Sequence, residues 1–281
     1  MQGRTVIVTG SSSGIGLVTA CELARRGARV VMICRPGPHV DDARRRVEAA
    51  AGTPSRVELL SADLSSLASV RAVAAEFLRT HDRLHVLVNN AGLYLPERRV
   101  TADGFEATFA TNHLGPFLLT RLLLDVLRAS GPSRIICVAS EAHRMGRIAF
   151  DDLQGQETFR GMRAYAQSKL ANILFVRELA RRLAGTGVTA NSLHPGVVRT
   201  GFGHDAGGFM NWGTRLVSRF MITPEVGART SIHLASSPLV ENVTGLYFAR
   251  CKTRTPAAAA RDDATARRLW DVSERLVGLA P

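Results

Sequence analysis

The feature that most restricts how this chain folds is an alternation. Short apolar runs of strand length alternate throughout with amphipathic stretches of helix length. Val6-Ile7-Val8, within Thr5–Thr9, is the first run, and Ile15 to Arg26, closed by Gly27, is the helical stretch behind it. Val30–Ile33 precedes Val40–Ala51, and Val57–Leu60 precedes Leu67–Thr80. Val86-Leu87-Val88 leads to Phe105–Leu127, which reads as one long helix; Ile135–Val138 leads to Ala164–Leu183, and Val188–Leu193 follows. A strand with apolar side chains on both faces needs cover on both, and strands separated by helices return in parallel. The expected fold class is therefore α/β: a doubly wound parallel sheet of about seven strands, helices on both faces, with its ligand site beyond the carboxyl ends of the strands.

With 281 residues, 46% of them hydrophobic, and neither linker nor internal repeat, the chain is expected to be one domain over 1–281. The pattern returns at the end with a strand-like Leu246-Tyr247-Phe248, a loop from Thr255 to Ala260, and a last helix through Leu269 and Trp270. Between Gly201 and Phe220 the periodicity weakens. Residues 201–222 are expected to form a substrate lid, apolar through Phe202, Phe209, Met210, Trp212, Phe220 and Met221. No apolar run reaches the ~18–20 residues needed for a transmembrane segment. A first strand at Thr5 leaves no room before it for a secretory signal. The four cysteines (Cys21, Cys34, Cys137 and Cys251) lie far apart, as reduced thiols would in a cytoplasmic protein. The net charge of +12 is almost all arginine, 34 against 2 lysines. The longest basic run, Arg44-Arg45-Arg46, has no aromatic residues interleaved and reads as a solvated helix face, so no nucleic acid is expected as a partner.

Gly10, Ser11, Ser12, Ser13, Gly14, Ile15 and Gly16 sit where the first strand ends and the first helix opens. Glycines at that junction let the backbone turn tightly against a pyrophosphate, whose charge the helix N-terminus favours. That placement makes the sheet a Rossmann-type, dinucleotide-binding one. About twenty residues on, where an NAD site places an acid for the ribose hydroxyls, stand Cys34 and Arg35. A guanidinium there attracts a 2′-phosphate, so NADP is favoured over NAD. Asp63 and Leu64 lie just past the third strand, where Asp63 either accepts from the adenine amino group or caps the next helix.

Further motifs fall in order along the chain: Asn89-Asn90-Ala91-Gly92 after the fourth strand, Thr111-Asn112-His113-Leu114-Gly115, Ser140 at the end of the fifth, Tyr165-Ala166-Gln167-Ser168-Lys169, and His194-Pro195-Gly196-Val197-Val198-Arg199-Thr200 after the sixth. Together they resemble the short-chain dehydrogenase/reductase family over nearly the whole chain. Thr111–Thr120, Phe150-Asp151-Asp152-Leu153, His194–Thr200 and Ala266–Ser273 are most similar to its retinol dehydrogenase-like branch. Membrane-bound members of that branch carry an N-terminal anchor, whereas this sequence begins at its first strand.

The resemblance implies an NADP-dependent interconversion of a carbonyl and an alcohol on an apolar small molecule, in a family where homodimers and homotetramers are common. Reduction of a carbon–carbon double bond, or NADP sensing without turnover, are the alternatives. Tyr165 would exchange the proton; four residues on, Lys169 shares its helix face and would draw the phenol's pKa from about 10 toward working pH. Ser140 would hold the substrate oxygen, and Asn112 a water linking Lys169 to solvent. From residue chemistry alone, Tyr165 also reads as a partly buried aromatic, Ser140 as a strand-end turn, and Asn112 as a local backbone hydrogen bonder or a kink in its helix. Asn90, Ala91, Gly92, Pro195, Gly196, Val198 and Thr200 would complete the cofactor pocket. His143 lies where it could line the substrate cleft, while His194 reads as structural and Asp151-Asp152 as a solvated turn. His81 and His85 lack a third ligand, so no metal is expected.

Overall fold

The computed structural model describes residues 1–196 and 222–279. Its frame is an eight-stranded sheet in the order β3-β2-β1-β4-β5-β6-β7-β8. Strands β1 (Thr5–Thr9), β2 (Arg29–Cys34), β3 (Val57–Ser61), β4 (Val86–Asn89), β5 (Ser133–Val138), β6 (Val188–His194) and β7 (Tyr247–Ala249) are parallel. All seven fall within two residues of the apolar runs. The order reverses between β1 and β4, so the loops leaving those two strands part company and open a crevice at their carboxyl ends.

Successive residues of β1 face opposite ways. Ile7 points into a core with Phe77, Phe117 and Leu174, beneath α3 (Leu67–Thr80), α5 (Gly115–Leu122), α7 (Gly161–Arg182) and α9 (Asp263–Leu276). Val6 and Val8 point into a second core with Leu23, Val47 and Leu234, beneath α1 (Gly14–Arg25), α2 (Val40–Ala51) and α8 (Pro224–Ser236). On α9 the buried stripe is Ala266, Leu269, Trp270 and Ser273, and it lies on α7. Trp270 meets Phe117 edge-on at 5.0 Å, and the guanidinia of Arg121 and Arg182 lie 5.1 and 4.5 Å from its ring centre.

Two departures from the expected elements carry physical reasons. The stretch 105–127 is not one helix. It is α4 (Ala107–Phe109), a π-turn over Ala110–Leu114, then α5 and α6 (Leu124–Ala129). The buried Glu106 caps its start, accepting from the amides of Thr108 and Phe109 at 2.8 and 2.7 Å. At its centre, a Cβ on Gly115 would come within 2.2 Å of the Leu64 carbonyl oxygen, so only glycine lets these backbones touch. The second departure is β8 (Lys252–Arg254), an antiparallel strand of three exposed residues. Its hairpin turn is Arg250-Cys251, both with positive φ (52 and 59°). That geometry normally selects Asn-Gly, so the sequence carries no hairpin signal here.

Residues 201–221 of the expected lid, including Phe202, Phe209, Met210, Trp212, Phe220 and Met221, lie outside the described residues, as do Val198 and Thr200. Among the described residues, no helix is long and apolar enough to cross a membrane. The four cysteines are free thiols. Arg44 and Arg45 pair with Glu48 and Asp42 along the exposed face of α2.

Candidate active site

At the crevice, Gly10 (φ 64°) leaves β1 with its amide bonded to the Ile33 carbonyl at 2.8 Å, and Gly14 (φ 53°) begins α1. A Cβ on Gly16 would lie 2.2 Å from the Gly10 oxygen and 2.4 Å from the Asn90 amide nitrogen. A Cβ on Gly10 would lie 2.9 Å from the Ala91 Cα. The turn is thus a three-layer stack of backbone that no side chain can enter. Asn90 binds it from beneath, donating to the carbonyls of Thr9 and Gly10 at 2.9 and 3.2 Å. Thr9, which motif reading passes over, accepts the amides of both Asn90 and Ala91 at 3.0 Å. Ser13 stands at the N-cap of α1 without a side-chain capping bond, next to the partly exposed Ser12, Gly14 and Ile15, so the helix's first turn is left for an anion. These features fit a dinucleotide.

Across the crevice, four polar groups from three segments meet, two of them on α7. Asn112 is fully buried; its side-chain oxygen accepts from the Leu93 amide at 2.8 Å, and its nitrogen donates to the Leu93 carbonyl and the Ser168 hydroxyl, both at 2.9 Å. Its place in the π-turn and its long-range bonds go together: the side chain reaches the loop after β4. A Cβ on Gly92 would sit 3.1 Å from the Lys169 ammonium and 3.3 Å from the Asn112 oxygen, placing all three side by side. Lys169 donates to the Val138 carbonyl at 3.1 Å, with its nitrogen 5.5 Å from the Tyr165 ring centre. The Tyr165 phenol is hydrogen-bonded to the Ser140 hydroxyl. Ser140 also accepts from the Ala142 amide at 3.2 Å, capping a short 3-10 turn, so the strand-end turn and a place in this cluster go together. Tyr94 meets the Tyr165 ring edge-on at 6.1 Å, an aromatic neighbour that no motif announces.

The electrostatics depart from expectation. Burial raises the Tyr165 pKa above its ordinary value, the Ser140 hydrogen bond opposing it, whereas the spacing to Lys169 suggests a lowered phenol. The reason is the depth of the phenol itself, and Lys169 is buried beside it. Desolvation brings the Lys169 pKa down to about 8, opposed by the Cys137 thiol, and its proton is turned toward Val138.

Other expectations resolve differently. Arg35 is exposed at the end of β2, where Cys34 is buried against the Ser11 hydroxyl at 3.4 Å. Asp63 does not cap α3: Ser66 does, while Asp63 accepts from the amide and hydroxyl of Ser65 at 2.9 and 2.8 Å. Leu64 is buried, its carbonyl against Gly115. His143 does not line the cleft. It is fully buried, bonded to the Ser140 carbonyl at 2.7 Å and accepting from the Ala257 amide at 3.1 Å, so it braces the Ser140 turn against the C-terminal segment. Pro195 and Gly196 leave β6 with the Gly196 amide donating to His194 Nδ1 at 3.1 Å. Asp152 accepts from the Gln156 amide at 2.6 Å within a turn. His81 stacks on Phe77 at 4.5 Å and His85 accepts from the Thr5 amide, and among the described residues no group of three or more potential ligands is placed to hold a metal. An open groove of about 1070 Å³ along α1, α2 and α8, lined by Cys21, Arg25, Arg46 and Arg229, contains none of the converging residues.

Residues 4–208 match the family model described as short chain dehydrogenase. The chain belongs to the short-chain dehydrogenase family. Human retinol dehydrogenase 14 is 47% identical over 99% of this chain and 88% of its own length. Human retinol dehydrogenase 11 is also 47% identical, over 99% and 87%. These place the chain in the retinol dehydrogenase-like branch and make it an NAD(P)-dependent oxidoreductase acting on CH–OH groups. Among solved structures, an uncharacterized protein from Mycobacterium paratuberculosis superposes with a TM-score of 0.77 at 37% identity, covering 99% of this chain and 94% of that one. An NAD(P)-dependent gluconate 5-dehydrogenase from Beutenbergia cavernae, crystallised with NADP at low occupancy, gives 0.72 at 30% identity over 89% and 96%.

Proposed function

We propose that this short-chain dehydrogenase uses NADP to interconvert a carbonyl and an alcohol on an apolar small molecule, with Tyr165 as the proton donor and acceptor. The observation carrying this reading is the phenol of Tyr165 bonded to Ser140, with the Lys169 ammonium against its ring, beside a glycine turn shaped for a pyrophosphate. When bound, the nicotinamide supplies or takes the hydride. Gly10, Ser12, Ser13, Gly14, Ile15 and Gly16 would hold the pyrophosphate on α1, and Asn90, Ala91, Gly92, Pro195 and Gly196 would wall the pocket. Arg35 would attract the 2′-phosphate, and Asp63 and Leu64 would line the adenine site.

In the direction of reduction, Ser140 donates to the substrate oxygen and Tyr165 passes it a proton. Lys169 stabilises the phenolate left behind, and Asn112 holds the path by which solvent restores the proton. The high phenol pKa of the cofactor-free protein suits this direction, because the donor is kept protonated until a substrate oxygen accepts. The apolar substrate is supported by the names of the retinol dehydrogenases and by the aromatic wall of Tyr94 beside Tyr165. Four free thiols suit work in the reducing cytoplasm.

The test is an NADPH-consumption screen over aldehydes, ketones, retinoids and quinones, with NADH alongside. Reduction of long apolar aldehydes or ketones, faster with NADPH, is expected; an enone should yield the allylic alcohol. A saturated ketone from the enone, or a preference for NADH, would overturn the respective part of the reading.

A further inference from the structure

Ser140 and Gly196 belong to segments more than fifty residues apart, and one side-chain chain joins them. His194 accepts the Gly196 amide at Nδ1 (3.1 Å), so a neutral ring carries its proton on Nε2. That Nε2 faces the Glu141 carboxylate at 3.7 Å. Glu141, the residue after Ser140, is held in turn by the Tyr247 hydroxyl, which donates to it at 3.1 Å, and by Arg144. Partial burial opposes the charge on Glu141, but Arg144, Tyr247 and His194 hold its carboxyl below the usual range. The Gly196 backbone, at φ 102°, is one only glycine adopts easily, and a Cβ there would strike Ile222 at 2.5 Å. A neutral imidazole therefore supplies the acceptor that this turn's amide uses.

We infer that Glu141 and His194 are positioning residues that bolt the Pro195-Gly196 turn to the Ser140 turn, so that cofactor affinity requires an uncharged His194. The inference rests on the reading above that this turn is a wall of the cofactor pocket. Protonation places a hydrogen on Nδ1, where it opposes the Gly196 amide; the acceptor is lost and the turn is released. Every charged group facing the ring bears on when this occurs. Burial lowers the His194 pKa, as do His143, Arg250 and Arg144, while Glu141 alone raises it. The lock is thus closed at neutral pH and opens as pH falls below the ordinary imidazole value.

The experiment measures NADP⁺ binding by calorimetry at about pH 8 and about pH 5, for the wild type, His194→Asn and Glu141→Gln. Asparagine keeps an acceptor oxygen near the Nδ1 position but does not titrate. The ligand's own 2′-phosphate titrates near pH 6, and the His194→Asn protein reports that background. The wild type is expected to lose at least about fivefold more affinity on acidification than His194→Asn. In Glu141→Gln the loss should move to lower pH, since the group that favours the charged ring is gone. Nitrogen-15 spectra of the cofactor-free wild type should show His194 protonated at Nε2 alone at neutral pH. Equal acid losses in wild type and His194→Asn, an unmoved midpoint in Glu141→Gln, or a proton on Nδ1 would overturn the coupling. A wild type that binds NADP⁺ at neither pH would instead overturn the cofactor reading on which it rests, whatever the ring tautomer.

Discussion

The two sides of the crevice are built by different means. The glycine turn after β1 is made by exclusion: Gly10, Gly16 and Ala91 are stacked so closely that their shape follows from the absence of side chains. The cluster opposite is made by attraction, with Asn112, Ser140 and the α7 pair Tyr165 and Lys169 arriving from three segments and held by hydrogen bonds to Leu93, Ser168, Ala142 and Val138. The first is a local motif whose sterics travel with its sequence. The second exists only when the whole sheet has formed. Damage to one should therefore appear in ligand affinity, and damage to the other in rate.

The sharpest way to break that division is Tyr165→Phe. It should lower turnover by about a thousandfold while NADPH binding, followed by fluorescence titration, changes only a few-fold; comparable turnover would remove the phenol from the proposed mechanism. Gly16→Ala should do the reverse. Its methyl cannot avoid the Gly10 oxygen, so affinity should fall by more than about tenfold, with about 1–3 kcal/mol of stability lost in urea titrations. Retained affinity would mean that the turn yields more readily than its contacts imply.

Lys169 tests whether the cluster is held at the expense of stability. Because burial lowers its pKa from 10.5 to about 8, the folded state binds this proton less tightly than the unfolded state does. The penalty is fully present below about pH 8 and fades as pH rises through 10.5. Lys169→Met should then be inactive yet more resistant to urea at neutral pH, by at most about 3 kcal/mol, an advantage that shrinks in strong alkali. With only two lysines in the chain, carbon-13 lysine labelling gives two signals, one of which should titrate near 8. The smallest expected effect is at the rim of the cradle. Arg35→Ala should reduce the preference for NADPH over NADH by about three- to tenfold, and an unchanged ratio would place the 2′-phosphate elsewhere.

What could be read from the sequence follows the same division. The strands were legible because runs such as Val6-Ile7-Val8 are apolar on both faces, and the glycine turn because its chemistry is contiguous. The break in 105–127 was not, since its apolar periodicity continues through the π-turn and the cause lies in Leu64 and Leu93, which are distant in sequence. His143 looked like a cleft residue from its loop position, but its partner is the amide of Ala257, more than a hundred residues away. The phenol's electrostatics escaped for a related reason: helical spacing brings Lys169 near Tyr165 but says nothing of how deeply both are sunk.

The last strand has a consequence of its own. Lys252-Thr253-Arg254 finishes the sheet with two cations and no greasy side chain. A backbone approaching that border to add another ribbon would have to strip water from those charges. The chain thereby sets a natural limit on its own width, and growth by edge-to-edge stacking into fibres is discouraged at that border by three residues.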